Sequence, residues 1–257
     1  VAANGSGVAT VRSDYHGKYR ENRADASLRK ILATTGSITM WDDHEVTNDF
    51  FGGWPSLGQI ADGNQAFRDF MPVRPNGSDP QQLYRSFRWG PVEFFVLDVR
   101  QYRDPQADVS EPACIVSGSP QVLPTGACLA EINHPARVYL GAAQKAWLMN
   151  GLLASTAKWK FVVNGPVISA LQFLPYDRWE GYANEREAIL EFIVSQGVKN
   201  VVFLSTDIHS AIINDVANPG GSGGSVLEVV AGSIGMDSIY RELPASVVPL
   251  VQSLPSL

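Results

Sequence analysis

The 257-residue chain holds 20 Lys and Arg against 26 Asp and Glu, a formal charge of −6, with 45% apolar and 18% charged residues. That balance can bury a sizeable core and excludes a disordered chain. The absence of any apolar run of about 18 residues excludes a spanning helix, and the absence of a basic run excludes unassisted binding to a nucleic-acid backbone.

In chain order, Gly36 to Trp41 is a short β-prone run that ends abruptly in charge. Residues 61–71 have helical spacing and are stopped by Pro72. Residues 83–89 and 92–97 alternate as two strands around Gly90-Pro91, which predicts a hairpin. Residues 100–137 read as one long loop. Residues 140–154 form a helix, 159–163 a strand running into Asn164-Gly165-Pro166, and 183–196 a helix closed by Gly197. Residues 200–205 and 226–231 are further strands. Buried strands alternating with helices predict an α/β layered architecture, with the hairpin making the sheet mixed. No linker divides the chain, so residues 1–257 read as one domain. Aromatic residues in 50–62, 100–137 and 173–182 could line a cleft or simply pack the core.

Cys114 and Cys128 stand 14 positions apart in Pro-, Gly- and Ser-rich sequence, with no C-x-x-C or Cys/His cluster. They read as a disulfide closing an irregular loop, the alternative being two unrelated thiols. A disulfide implies export, and so a secreted or periplasmic chain in processed form.

The chemistry gathers at two of the four histidines, His44 and His209. Each follows an apolar strand and has a carboxylate one or two residues before it, the place where ligand sites collect in α/β sheets. Asp42, Asp43, Glu45 and Asp49 crowd one short segment, and no Lys or Arg occurs between Lys30 and Arg68 to neutralise them. Carboxylates so placed raise one another's pKa values. A bound cation would relieve the repulsion, and a solvated capping loop is the plainer alternative. Asp207 and His209, two apart on an extended segment, would point the same way. His16 and His134 have no such company and read as surface residues.

Together these segments resemble the alkaline phosphatase D (PhoD-like) family of calcineurin-type metallophosphoesterases. The carriers are W-D-D-H-E-V-T-N-D at 41–49, V-L-D-V-R-Q-Y-R-D at 96–104 and L-G-A-A-Q-K-A-W-L at 140–148. S-T-A-K-W-K-F-V-V-N at 155–164, W-E-G-Y at 179–182 and V-V-F-L-S-T-D-I-H-S at 201–210 follow in the family's order. The resemblance implies an α/β (α+β) fold of two packed mixed sheets flanked by helices, an αββα sandwich. It implies phosphoric ester hydrolysis by a metal-bound hydroxide, with Fe3+ and Ca2+ as the metals and a phosphate ester as substrate. Asp43, Asp207, His209 and Asn164 take the positions of metal ligands, and His44 that of the histidine acting as general acid on the leaving group. Arg100 and Asn48 fall on the substrate side, where Arg100 could hold phosphate bidentately or serve as structural partner to Asp98 or Asp104.

The chain also departs from the pattern. A Cys in an early strand and a G-D-x-x-Y segment have no counterpart in the 40 residues before Trp41, and the sequence stops at Leu257 short of a final strand pair. Thr206 stands where the family has glycine. The expectation is an internal fragment of a longer phosphatase, incomplete at both ends. A ligand- or partner-binding paralogue without turnover is the alternative.

Overall fold

The computed structural model describes residues 8–74, 79–116, 119–120, 123–171, 176–216, 226–232 and 249. Its strands are β1 (Arg85–Trp89), β2 (Val92–Val96), β3 (Ile115–Val116), β4 (Ser119–Pro120), β5 (Trp159–Val163), β6 (Val201–Ser205), β7 (Ile212–Asp215) and β8 (Leu227–Val230). Six of them form one sheet in the order β1-β2-β5-β6-β8-β7. The four inner strands run parallel, and β1 and β7 close the two edges antiparallel. The expected hairpin is β1 and β2, turning at Gly90 in the left-handed region (φ 57) that glycine adopts without strain.

Parallel strands need crossovers, and helices supply them. The helices are α1 (Arg12–Asn22), α2 (Ala26–Thr34), α3 (Leu57–Phe70), α4 (Ala107–Ser110), α5 (Gly126–Ile132), α6 (Gly141–Ala154) and α7 (Ala183–Ser195). α6 lies in the connection from β2 to β5, and α7 in that from β5 to β6. Leu148 and Leu152 of α6 and Ile189, Leu190 and Ile193 of α7 pack on Phe95, Val162 and Phe203 of the sheet. The buried carboxylate of Glu185 caps the start of α6 by accepting from the backbone N–H of Tyr139 and Leu140 at 3.0 and 2.9 Å. The opposite face of the sheet is apolar as well. Phe87 stacks on Phe94, Phe94 meets Phe161 edge-on, and Trp89 is 74% exposed beside them.

The α/β class and the mixed sheet are as expected. Among the described residues, however, there is one six-stranded sheet and the short β3–β4 ribbon rather than two packed sheets. The run at 36–41 is not a strand: it has no ladder partner among the described residues, and the Thr39 carbonyl accepts instead from the Arg85 guanidinium at 2.6 Å. The stretch 100–137 holds α4, the ribbon and α5. α1 and α2 were not anticipated because the core-facing signal is weak. α1 buries Tyr15, Lys18 and Tyr19, and α2 buries none of its side chains. His16 on α1 is half-buried, with its Nε2 2.8 Å from Asp69, whereas His134 lies on the surface as expected. Phe50, Trp179 and Tyr182 are core residues, so packing accounts for these aromatics; Phe173 lies outside the described residues.

Cys114 and Cys128 are joined in a disulfide. It is buried with Ala107, Ile132 and Tyr176, whose hydroxyl donates to the Cys114 carbonyl at 3.3 Å. Closing a loop of this size stabilises by about 3 kcal/mol in the chain-entropy model. Replacing both cysteines by serine is therefore expected to lower Tm by roughly 6–12 °C at this chain length. Calorimetry checks it, and an unchanged Tm would show that the packing around Tyr176 suffices without the bond.

Candidate metal centre

The carboxyl ends of β2, β5 and β6 meet at one edge of the parallel sheet, and three local devices bring the acidic segment there. Trp41 is buried with Val46, Phe50 and Phe67, and its Nε1 donates to Asp98 just past β2 at 3.0 Å. Asp98 is fixed in turn by Gln144 of α6, through its own N–H and C=O. Residues Asp43–Glu45 then make one 3-10 turn, in which Glu45 accepts from the Asp42 N–H at 2.7 Å. The Asp43 carboxylate accepts from the backbone of His44 at 2.7 Å and of Asp49 at 3.0 Å. At the end of β5, Gly165 leaves room for this segment: a Cβ there would lie 2.7 Å from Asp42 Oδ2. The Gly165 carbonyl accepts from Thr206 at 2.8 Å, which carries the end of β6 to the same place.

The result is a carboxylate triangle. Asp42, Asp43 and Asp207 each offer one oxygen, all within 4.8 Å of one another. Asp207 does not reach it from an extended segment. Asp207 (φ 72) and His209 (φ 49) both occupy the left-handed region, as does Asp49 (φ 57). Such conformations are costly for residues other than glycine, least so for Asp, Asn and His. The chain therefore turns at Asp207, and among the described residues His209 is not part of the carboxylate group.

The positive charge missing from the local sequence comes from far along the chain. Arg100 is fully buried, and its Nε donates to Asp42 Oδ1. Nη1 and Nη2 donate to the two oxygens of Asp177 at 2.8 and 3.0 Å, and Nη2 lies 3.7 Å from Asp207 Oδ1. Arg103 adds a second guanidinium on Asp177 at 2.6 Å. Burial acts to raise the Asp177 carboxyl, but Arg100 and Arg103 outweigh it and hold the group well below the usual carboxylate range. The remaining acids are less well served. Burial raises Asp207 and Asp42 despite Arg100, and it pushes Asp49 up to about 7, reinforced by Asp177 and Asp43. Five carboxylates against two guanidiniums leave the edge short of positive charge.

The residues singled out by sequence are thus distributed unevenly. Asp43 and Asp207 converge, and Asp42, which had been counted only among the crowded acids, joins them. His44 stands beside the triangle with a side chain 49% exposed and Nε2 3.8 Å from Asp43 Oδ2. Asn48 is exposed, its Nδ2 donating to Asp49 at 2.7 Å. Asn164 is locked in the core: its Oδ1 accepts from Trp179 Nε1 at 3.0 Å and its Nδ2 donates to Pro166 and Ser205. Arg100, the candidate phosphate holder, is fully buried, and its guanidinium pairs with Asp42 and Asp177 rather than with Asp98 or Asp104. Asp177 and Arg103 were missed. The available signal was an aspartate set between Tyr176 and Trp179, both of which are buried.

Comparison with known proteins bears on this geometry. A family profile described as PhoD-like phosphatase matches residues 2–253. The chain belongs to the PhoD-like phosphatase family. It is 34% identical over 233 residues to alkaline phosphatase D of Bacillus subtilis (strain 168), a match covering 82% of this chain and 37% of that protein. It also resembles the solved structure titled "Structure of PhoD", with a TM-score of 0.74 and 32% identity, over 90% of this chain and 46% of that one. The chain therefore spans less than half the length of these PhoD relatives.

Proposed function

We propose that this chain carries the acidic half of the metal centre of a phosphoric ester hydrolase. The observation that supports it is the convergence of Asp42, Asp43 and Asp207 at the carboxyl edge of the sheet, in a chain of the PhoD-like family. The donor set fits the proposed ions. All three donors are hard carboxylate oxygens, suited to Ca2+ and acceptable to Fe3+, and the shortage of positive charge around them is what a cation would relieve. Such ions, when bound, lower the pKa of a coordinated water and take up charge on phosphoryl oxygens.

The chain's own residues would then divide the work. Asp42, Asp43 and Asp207 hold the cation, with His209 and Asn164 as further ligand positions by resemblance. His44, half-exposed on its 3-10 turn, protonates the departing alkoxide. Asn48 reaches the substrate from the rim. The disulfide supports export to an oxidising compartment, and among the described residues no helix is long and apolar enough to cross a membrane. One observation favours the alternative, a binding protein without turnover: Arg100 already neutralises part of the cluster.

The test is hydrolysis of a phosphate monoester and a diester after loading with iron and calcium. Little hydrolysis is expected from this half centre alone and clear hydrolysis from a form extended upstream, where it should disappear on chelation and in Asp207→Asn. Calcium bound without hydrolysis in either form would favour the binding protein, and no bound cation would overturn the metal reading.

A further inference from the structure

Asp177 is, with Asp49, an acid of this edge outside the group that could hold a cation. It stands outside the triangle of Asp42, Asp43 and Asp207, yet it gathers more donors than any of them. Arg100 reaches it through both Nη1 and Nη2, at 2.8 and 3.0 Å. Arg103 Nη2 and Gln106 Nε2 reach Oδ1 at 2.6 and 3.2 Å, and Arg103 Nη1 takes the Asp177 backbone carbonyl at 3.0 Å. A fork-to-fork pair fixes a guanidinium in orientation as well as position.

The position matters because Arg100 has other acids to turn to. Its Nε already touches Asp42, and Nη2 stops 3.7 Å from Asp207 Oδ1, beyond good hydrogen-bond range. Asp42 and Asp207 are two of the three carboxylates that a cation would use. Guanidinium and metal ion therefore compete for the same carboxylates, and the pull of Asp177 decides how far the guanidinium leans toward them. Asp177 is itself held in place. Its neighbour Tyr176 packs in the buried cluster around the Cys114–Cys128 disulfide and donates to the Cys114 carbonyl.

We propose that Asp177 is a positioning residue that limits the Arg100 guanidinium to its Nε contact with Asp42 and holds it off Asp207, keeping the remaining oxygens of both open to a cation. The proposal rests on the cation site proposed above. Without Asp177, the buried guanidinium has only the ligand carboxylates to pair with, and an unpaired buried charge drives it onto them. Removing Arg100 frees those carboxylates instead. The two deletions therefore act in opposite directions on cation affinity, which a merely structural role for Asp177 does not produce.

The experiment is calorimetric titration of the full chain with calcium alone, comparing wild type, Asp177→Asn, Arg100→Met and the double variant, each checked for folding by circular dichroism. Asp177→Asn is expected to weaken calcium binding by about tenfold or more, a difference of about 1.4 kcal/mol. Arg100→Met should bind at least as tightly as wild type, and the double variant should recover wild-type affinity. Failure of the double variant to recover, or unchanged affinity in Asp177→Asn, overturns the proposal. Should Asp177→Asn not fold, Asp177→Glu keeps the charge but pushes the guanidinium toward Asp42 and Asp207. Its affinity should then fall in the same direction, and wild-type affinity overturns the proposal. Absence of calcium binding by wild type overturns the cation site itself, a result separate from all of these.

Discussion

In an active, metal-loaded form extended upstream, His44→Ala is expected to lower turnover by roughly 100-fold or more, the scale of general acid catalysis. The argument is positional. His44 follows Asp43 directly, on a 3-10 turn whose geometry is fixed by the Asp43 carboxylate accepting from the His44 and Asp49 backbone. The backbone is pinned while the ring stays half-exposed, so the side chain can reach a leaving group without disturbing the ligand. The loss should be greatest for an alkyl phosphate, whose alkoxide leaves poorly without a proton, and much smaller for a nitrophenyl ester. Calcium binding should be nearly unchanged, since Asp43 keeps its place. Equal losses on both substrates would remove His44 from the protonation step, and lost calcium binding would make it a ligand.

The largest expected loss of stability comes from Glu228, a fully buried carboxylate on β8 in an otherwise apolar strand. It accepts from the backbone N–H of Ile168 and Ser169 at 2.8 and 3.0 Å, and from the hydroxyls of Ser169 and Ser205 at 2.5 and 2.6 Å. These four bonds tie the chain leaving β5 to the last residue of β6, two positions before Asp207. Bonds to a charged acceptor contribute roughly 1.5–3 kcal/mol each, and an orphaned buried donor costs about as much. Glu228→Ala is therefore expected to destabilise by about 4 kcal/mol or more even after relaxation, lowering Tm by roughly 8–16 °C. Glu228→Gln keeps the shape but loses an acceptor, and should fall between the two. A Tm within about 2 °C of wild type in Glu228→Ala would mean that water replaces the carboxylate and that the clamp is dispensable.

What could be read from the sequence follows from how local each signal is. β5 and β6 are short, mainly apolar runs stopped by Asn164-Gly165 and by Thr206-Asp207, which places them to within a residue. α6 and α7 showed one apolar face each. α1 offers only two buried aromatics among polar residues, α2 buries nothing, and β7 is four residues long, so periodicity had little to act on. The same holds at the site. Asp43 and His44 belong to a short motif that follows an apolar run, and Asp207 to one at the end of β6, so they could be named. Arg100 finds Asp42 58 positions away and Asp177 77 positions away, pairings that no window of sequence contains. The acidic run made the repulsion legible, while part of its relief, the Arg100 guanidinium on Asp42, is delivered by the fold from outside the local sequence.

Among the described residues, three of the four non-glycine residues in the left-handed region, Asp49, Asp207 and His209, stand at the carboxylate edge; the fourth, Asn200, sits in the turn before β6. Each of the three would be more comfortable as glycine, by about 1–2 kcal/mol of backbone strain, and glycine at 207 would also remove a half-buried carboxylate repelled by Asp42. Durability and chemistry thus pull this edge in opposite directions. Selection of this chain for heat resistance alone would drift toward glycine at 207 and 209, and the sturdier protein would have lost the carboxylate and the imidazole on which the proposed metal centre draws.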